Sequence, residues 1–288
     1  MAKKVTAFLP VFGGNRTNAE RPGELLGKCD WIGVPFAGGM PEVPYLQARS
    51  IVVNDLHRHI VNCARACRDY SAGMVEYLEQ TIFHPDELAR AQKYCKDIEL
   101  ARFVTNEDVR AEVDGVNGCH FGSAVRYFIT QWIGRSGNGS TPKELEGNIS
   151  TRWTASGGDS NTRFRSATNA IHDFAREFRR CSFVCLDFRK FLEQVNDSET
   201  TGLYLDAPWP DAGDEYLHPF TEQDQNELWG ALSRFRNARI VLRFGEHGKI
   251  RSLYREQDGW RWIEASGRTQ GNSKQTEWFI TRRCGSES

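Results

Sequence analysis

The stretch that most constrains the fold runs from Leu203 to Pro210, Leu-Tyr-Leu-Asp-Ala-Pro-Trp-Pro, where an apolar run is stopped directly after an acid. The bulky residues Leu203, Tyr204 and Leu205 predict a short buried strand. Pro208 and Pro210 end it, because neither has an amide hydrogen to give to a sheet ladder. Asp206 is thereby placed at the carboxyl edge of the strand, where open α/β sheets hold their ligands. A carboxylate acceptor followed by Trp209 suits a planar ring bearing an exocyclic amine: the acid accepts from the amine and the indole stacks on the ring. The alternative is an ordinary strand-end turn with Trp209 packed as core.

The segments around this stretch alternate in the same α/β sense. Val5 to Val11 leads into the glycine turn Phe12-Gly13-Gly14-Asn15-Arg16, and Glu24 to Cys29 reads as one or two helical turns. A strand at Asp30 to Val34 runs into Pro35-Phe36-Ala37-Gly38-Gly39, where glycines let backbone approach a bound nucleoside. Ser50 to Asp55 is a β-branched strand ending in an acid sixteen residues beyond Gly39. An acid there can accept both ribose hydroxyls of an adenosine cofactor, or else serve as the N-cap of the helix predicted over Leu56 to Tyr77. The G-x-G-x-x-G of dinucleotide enzymes is missing, which disfavours a nicotinamide cofactor. Further strands are predicted at Phe183 to Asp187, Arg239 to Phe244 and Glu277 to Arg282, with helices at Thr221 to Phe235 and near His247 to Arg255.

Between about Tyr70 and Arg180 the character changes to charged helical segments, a buried apolar run at Val125 to Ile133, and a glycine- and serine-rich stretch from Gly134 to Gly158. Arg152, Trp153, Arg163, Phe164 and Arg165 interleave basic and aromatic residues on an expected loop surface, a composition suited to phosphates and bases together. Net charge is only −1, but Arg152 to Lys190 holds eight Lys or Arg against four acids, whereas Glu193 to Glu227 holds ten acids and no Lys or Arg. The first segment can follow phosphates and the second cannot, although a solvated helix face also explains a basic run.

With 288 residues, 39% of them hydrophobic, the chain can bury a full core. It has no apolar run near the length that spans a bilayer, and Met1-Ala2-Lys3-Lys4 opens no signal peptide, so a cytoplasmic protein without a membrane partner is expected. The eight cysteines are then expected to be free thiols. Cys63 and Cys67, like Cys181 and Cys185, have a four-residue spacing that suits one helical face; without neighbouring histidines, buried thiols are expected rather than a metal site.

Taken in order, Phe12-Gly13-Gly14-Asn15, Pro35-Phe36-Ala37-Gly38-Gly39, Val53-Asn54-Asp55-Leu56 and Asp206-Ala207-Pro208-Trp209 resemble the Dam-type (class alpha) adenine-N6-specific DNA methyltransferases. The likeness extends to Tyr216 and Phe220 before a helix, to Ile250 to Tyr254, and to Arg268 to Asn272 ahead of Glu277-Trp278-Phe279-Ile280. The chain departs from the family at Asn15, where lysine is usual, at Val34, where an acid is usual, and at Ala207 and Trp209 within the usual Asp-Pro-Pro-Tyr. The resemblance implies an α/β, Rossmann-like S-adenosylmethionine-dependent methyltransferase sheet formed by residues 1–69 and 181–288, with a mainly helical target-recognition insertion at 70–180. It implies methyl transfer to adenine N6 in flipped-out bases of double-stranded DNA, without a metal. Asp206, Ala207, Pro208 and Trp209 would be catalytic. Phe12, Gly13, Gly14, Asn15, Pro35, Phe36, Ala37, Gly38, Asp55, Leu56 and Asp206 would bind S-adenosylmethionine, and Arg135, Asn138, Arg152, Arg163 and Arg165 would bind DNA. Cytosine N4, an RNA adenine, or a catalytically inert nucleic-acid-binding relative are the alternatives.

Overall fold

Strands with little polar character along their length must be covered on both faces, which is the signature of a parallel sheet, and this chain builds one. The computed structural model describes residues 6–100, 104, 118–134, 139–151, 153, 159–268 and 274–282. In it, β1 (Cys29–Val34), β2 (Ala48–Asn54), β3 (Cys181–Val184), β4 (Thr201–Leu205) and β5 (Arg239–Gly245) run parallel. An antiparallel hairpin, β6 (Arg261–Arg268) and β7 (Lys274–Arg282), completes a mixed sheet of seven described strands. Its order is β3-β2-β1-β4-β5-β7-β6, with β7 antiparallel to both β5 and β6. All five residues of β4 are buried. The order reverses direction between β1 and β4, which gives the carboxyl edge a switch point where the loops after these two strands diverge. The architecture is α/β and compatible with a Rossmann-like fold.

Chain contacts group Asn15–Ala37, Glu42–Leu56 and Arg180–Ser288 into an α/β unit. It contains the sheet with α1 (Arg21–Leu26), α6 (Phe188–Glu193), α7 (Glu222–Ser233) and α8 (Gly248–Leu253). Thr221 and Asp224 form a reciprocal capping box that starts α7, and Arg189 on α6 pairs with Asp187, Asp224 and Glu227. On the hairpin, the Arg251 guanidinium lies 3.9 Å from the centre of the Trp262 ring and 4.4 Å from that of Trp278.

The second unit comprises Met1–Gly14, Gly38–Pro41 and His57–Arg179. It is built on α2 (Arg58–Gln80), α3 (Pro85–Asp97), α4 (Phe121–Ile133) and α5 (Ser160–Phe178). Residue 70, where the recognition insertion is expected to begin, falls inside α2. Phe8 packs against Phe128, Phe174 and Phe178 at ring separations of 5.9, 5.6 and 5.2 Å. A buried Glu144 accepts from Tyr127 at 2.9 Å and from the Ser140 amide at 3.0 Å and pairs with His57 at 2.8 Å. Burial works against its charge, but His57 and the Ser140 amide hold its carboxyl below the ordinary value.

Three local expectations are corrected. Arg163, Phe164 and Arg165 lie on α5 and not on a loop, because Phe164, Ala167, Thr168, Ile171, Phe174, Ala175 and Phe178 repeat at helical spacing and are buried. Cys181 and Cys185 share no helical face, since Cys181 opens β3 and Cys185 follows it. The strand β6 was not expected; Arg261, Glu264 and Ser266 on it are exposed, and only its pairing with β7 makes it a strand. Cys63 and Cys67 do lie buried on α2 as free thiols, pushed up by burial. Among the described residues no helix is long and apolar enough to cross a membrane.

Arg165 donates to the carbonyls of Leu78, Glu79 and Thr81, each at 3.1 Å, and so satisfies the carboxyl end of α2. Arg165→Ala is expected to lower the unfolding free energy by about 1–3 kcal/mol, since it strips charge-assisted bonds from part-buried carbonyls. Urea unfolding measures this, and an unchanged midpoint would remove Arg165 from the helix end.

Candidate active site

Asp206 is the first residue after β4, and its side chain keeps 16% of its surface exposed at the carboxyl edge. Both of its oxygens accept from Nη1 of Arg243, at 3.1 and 2.8 Å. Arg243 lies on β5, which pairs with β4, and is itself buried. On its other side, Nε and Nη2 grip the two oxygens of Glu277 at 3.0 and 2.7 Å, a two-point fork. Register explains the meeting: Arg243 is opposite Phe279 on β7 and Gly245 is opposite Glu277, so Arg243 and Glu277 are diagonal neighbours on one face. Gly267 on β6 makes the space for this, because a Cβ there would fall 2.0 Å from Cδ of Glu277.

Asn18 donates to Glu277 Oε2 at 3.1 Å and to the Ser266 carbonyl at 3.1 Å. Asn15, buried, joins Asn18 to the buried Tyr204 hydroxyl, donating to that oxygen at 3.2 Å and accepting from the Asn18 amide at 3.1 Å. Asn15 is therefore a buried amide that braces the turn. Burial pushes the Asp206 carboxyl up to about 6; Arg243 opposes the rise and Glu277 adds to it. Burial also works against the Arg243 charge, but the two carboxylates outweigh it and hold the guanidinium above its ordinary value.

A second set of side chains shapes the loops after β1, β2 and β3. Asn54, buried at the end of β2, donates to the Pro35 carbonyl at 2.8 Å and to the Leu186 carbonyl at 3.0 Å, and accepts from the Leu186 amide at 2.7 Å. One amide thus ties Pro35-Phe36-Ala37 to the loop after β3. Phe36, Phe188 and Phe220 meet there with ring separations of 5.7, 5.6 and 5.5 Å. Asp55 follows β2, its amide donating to the Val184 carbonyl at 3.3 Å. The N-cap of α2 is His57, so Asp55 is not the cap. Tyr216, in the loop after β4, is pushed up by burial and by the charges of Asp206 and, more weakly, Asp55; both acids act on one hydroxyl.

Trp209 is half-buried, with the Arg243 guanidinium 5.2 Å from its ring centre, and is not a core residue. Ala207 is buried, and the Pro208 carbonyl accepts from Gln225 at 2.7 Å, which fixes the turn. The α/β unit contains Asn15, Pro35, Phe36, Ala37, Asp55, Leu56 and Asp206 to Trp209, whereas Phe12, Gly13, Gly14 and Gly38 belong to the helical unit. Arg163 is half-exposed on α5, with its guanidinium 5.8 Å from the Trp132 ring centre, and Trp153 is 89% exposed. Arg135, Asn138 and Arg152 lie outside the described residues.

Sequence reasoning missed Arg243, Glu277, Asn54 and Asn18. Arg243 did leave a signal, a single charge inside the apolar run Ile240-Val241-Leu242-Arg243-Phe244. Among the described residues no cluster of three His, Cys, Asp or Glu side chains is placed to hold a metal. No protein-family model and no curated protein sequence matches the chain.

Glu42, 3% exposed, is pushed by burial from an ordinary 4.5 up to about 8, with Asp206 adding to the rise and Arg243 opposing it. A carboxyl raised in the folded state stabilises fully below its unfolded value, and that stability is lost as pH rises through the folded value. Between pH 7 and 8, above most of the range in which Asp206 titrates, wild-type stability is expected to fall by up to about 1.4 kcal/mol per pH unit. In Glu42→Gln the fall should flatten. An identical slope in the variant, measured by urea unfolding, would contradict the assignment.

Proposed function

We propose that this chain transfers a methyl group from S-adenosylmethionine to the exocyclic N6 of adenine in DNA. The observation that carries the reading is the convergence, at the carboxyl edge of one sheet, of Asp206 after β4, Pro35-Phe36-Ala37 after β1 and Asp55 after β2, astride the switch point. The residues present suit the cofactor's chemistry. Asp55 is a strand-end acid that could accept from ribose hydroxyls, Phe36, Phe188 and Phe220 form an aromatic wall for an adenine ring, and the carboxylates give the edge the negative charge a sulfonium favours. When bound, S-adenosylmethionine would supply an electrophilic methyl group, which an amine could take in line with the carbon–sulfur bond as that bond breaks and the neutral thioether, S-adenosylhomocysteine, leaves.

The chain's own residues then act on the amine. Its lone pair is delocalised into the ring, so it is a poor nucleophile until hydrogen bonds draw the nitrogen towards tetrahedral geometry. The Asp206 carboxylate retains acceptor capacity beyond its two bonds from Arg243 and one from the Trp209 indole, and the Ala207 carbonyl is the second acceptor. With its carboxyl at about 6, Asp206 is ionised at neutral pH and basic enough to take the proton the methylated amine sheds. Trp209 offers a half-buried indole on which an extruded base stacks, offsetting part of the few kcal/mol that extrusion costs. For the helical unit, Arg163 with Arg135, Asn138 and Arg152 is assigned to DNA contacts. Arg165 drops out of that set, since its donors satisfy α2.

Expression in a methylation-free host followed by sequencing for modified bases tests the reading. N6-methyladenine is expected in wild-type cells, with Asp206→Ala reduced by about a hundredfold or more. N4-methylcytosine instead would keep the chemistry and change the base; no modified base in DNA would contradict the proposal. Asp55→Ala is expected to weaken S-adenosylmethionine binding by about 1.5–3 kcal/mol, for the loss of charge-assisted bonds to the ribose. Calorimetry giving wild-type affinity for that variant would remove Asp55 from the cofactor site.

A further inference from the structure

We propose that Arg243 is a positioning residue of this site: a hydrogen-bonded chain, Asn18–Glu277–Arg243–Asp206, buried at Glu277 and Arg243, holds the acceptor carboxylate at the strand edge and sets how strongly it attracts a proton. The inference rests on the reading above for the reaction that Asp206 serves.

A structural ion pair would need only one carboxylate. Arg243 has two, one nearly sealed on β7 and one open at the edge, and every contact in the chain is between 2.7 and 3.1 Å. Buried charges are costly unless each is matched, so the surplus negative charge is a feature that a purely structural pair lacks. Its consequence is local. Arg243 facing Asp206 alone would make a neutral pair and weaken the carboxylate as an acceptor; Glu277, taking two of the guanidinium's donors, draws that positive charge away. Asp206 is left fixed by Arg243 yet still the negative end of the chain. The other titratable groups whose charges act on this cluster are Glu42, Tyr204 on β4 and Tyr216 in the following loop. Burial pushes both tyrosines up and Glu42 to about 8, so at neutral pH none of the three is predominantly charged. Arg243 and Glu277 are therefore the two charges that tune Asp206, and they act on it with opposite sign.

The opposed signs give a test. Carbon-13 aspartate labelling with an NMR pH titration follows the Asp206 carboxyl directly, its resonance assigned by its loss in Asp206→Asn. The wild-type midpoint is expected near 6. Arg243→Met should move it upward by at least about one pH unit, Arg243→Lys, which keeps the charge, should move it less, and Glu277→Gln should move it downward. The acid limb of the transfer rate against pH should follow the same order. Should Arg243→Met fail to fold, Arg243→Lys and Glu277→Gln still decide the matter. A midpoint unmoved in the folded variants, or moved in the same direction by loss of either charge, overturns the proposal; rates lowered equally at every pH with no displacement of the limb would show a merely structural role. If the wild type transfers no methyl group, the enzymatic reading fails by itself, and the titration still accepts or rejects the Arg243 arrangement.

Discussion

The Arg243 guanidinium, gripped by Glu277 on one side and Asp206 on the other, is the interaction on which the carboxyl edge of the sheet depends. Removing one partner of a buried ion pair typically costs about 3–5 kcal/mol, because the other charge is left without compensation. Such a cost binds the end of β4 to β5 and to β7, beyond what the backbone ladders supply. It also gives the terminal hairpin a role: β7 lies next to β5 and brings Glu277 to the guanidinium, while β6 has glycine at position 267, where any side chain would collide with that carboxylate.

The same edge is organised from the other side of the switch point by a neutral group. Asn54 spends donors and acceptor on Pro35 and Leu186, and so holds the loops after β1 and β3 together beside Asp55. One half of the edge is thus fixed by a charged chain and the other by an amide. A neutral brace thus holds the loops beside Asp55, and the charged chain holds Asp206 next to the half-buried indole of Trp209. Those properties are what an adenosine ribose on one side and an aromatic amine on the other would require.

Much of this was legible in the chain because parallel strands advertise themselves. Leu203 to Leu205, Ile51 to Val53 and Ile240 to Leu242 are apolar or β-branched, and each segment lies between two neighbouring strands. Asp206 and Asp55 could be placed because proline or a helix start stops the strand just after them. The unread parts depend on partners distant in sequence. Nothing local marks Glu277 as the counter-charge of Arg243, since the pairing exists only through the β5–β7 register. Arg261 to Arg268 carries too few apolar residues to declare itself a strand without β7. Arg163 to Arg165 was misread in the opposite way: two arginines around a phenylalanine suggest an exposed basic loop, but Phe164 is the buried point of a helical stripe and Arg165 closes the end of another helix.

The central claim is that the carboxyl edge of the α/β unit is a binding site for S-adenosylmethionine, and isothermal titration of the purified, full-length chain with that compound tests it most directly. The account predicts saturable one-to-one binding with a dissociation constant on the order of micromolar, about 8 kcal/mol of binding free energy. Absence of heat and of any thermal stabilisation at millimolar ligand would contradict it.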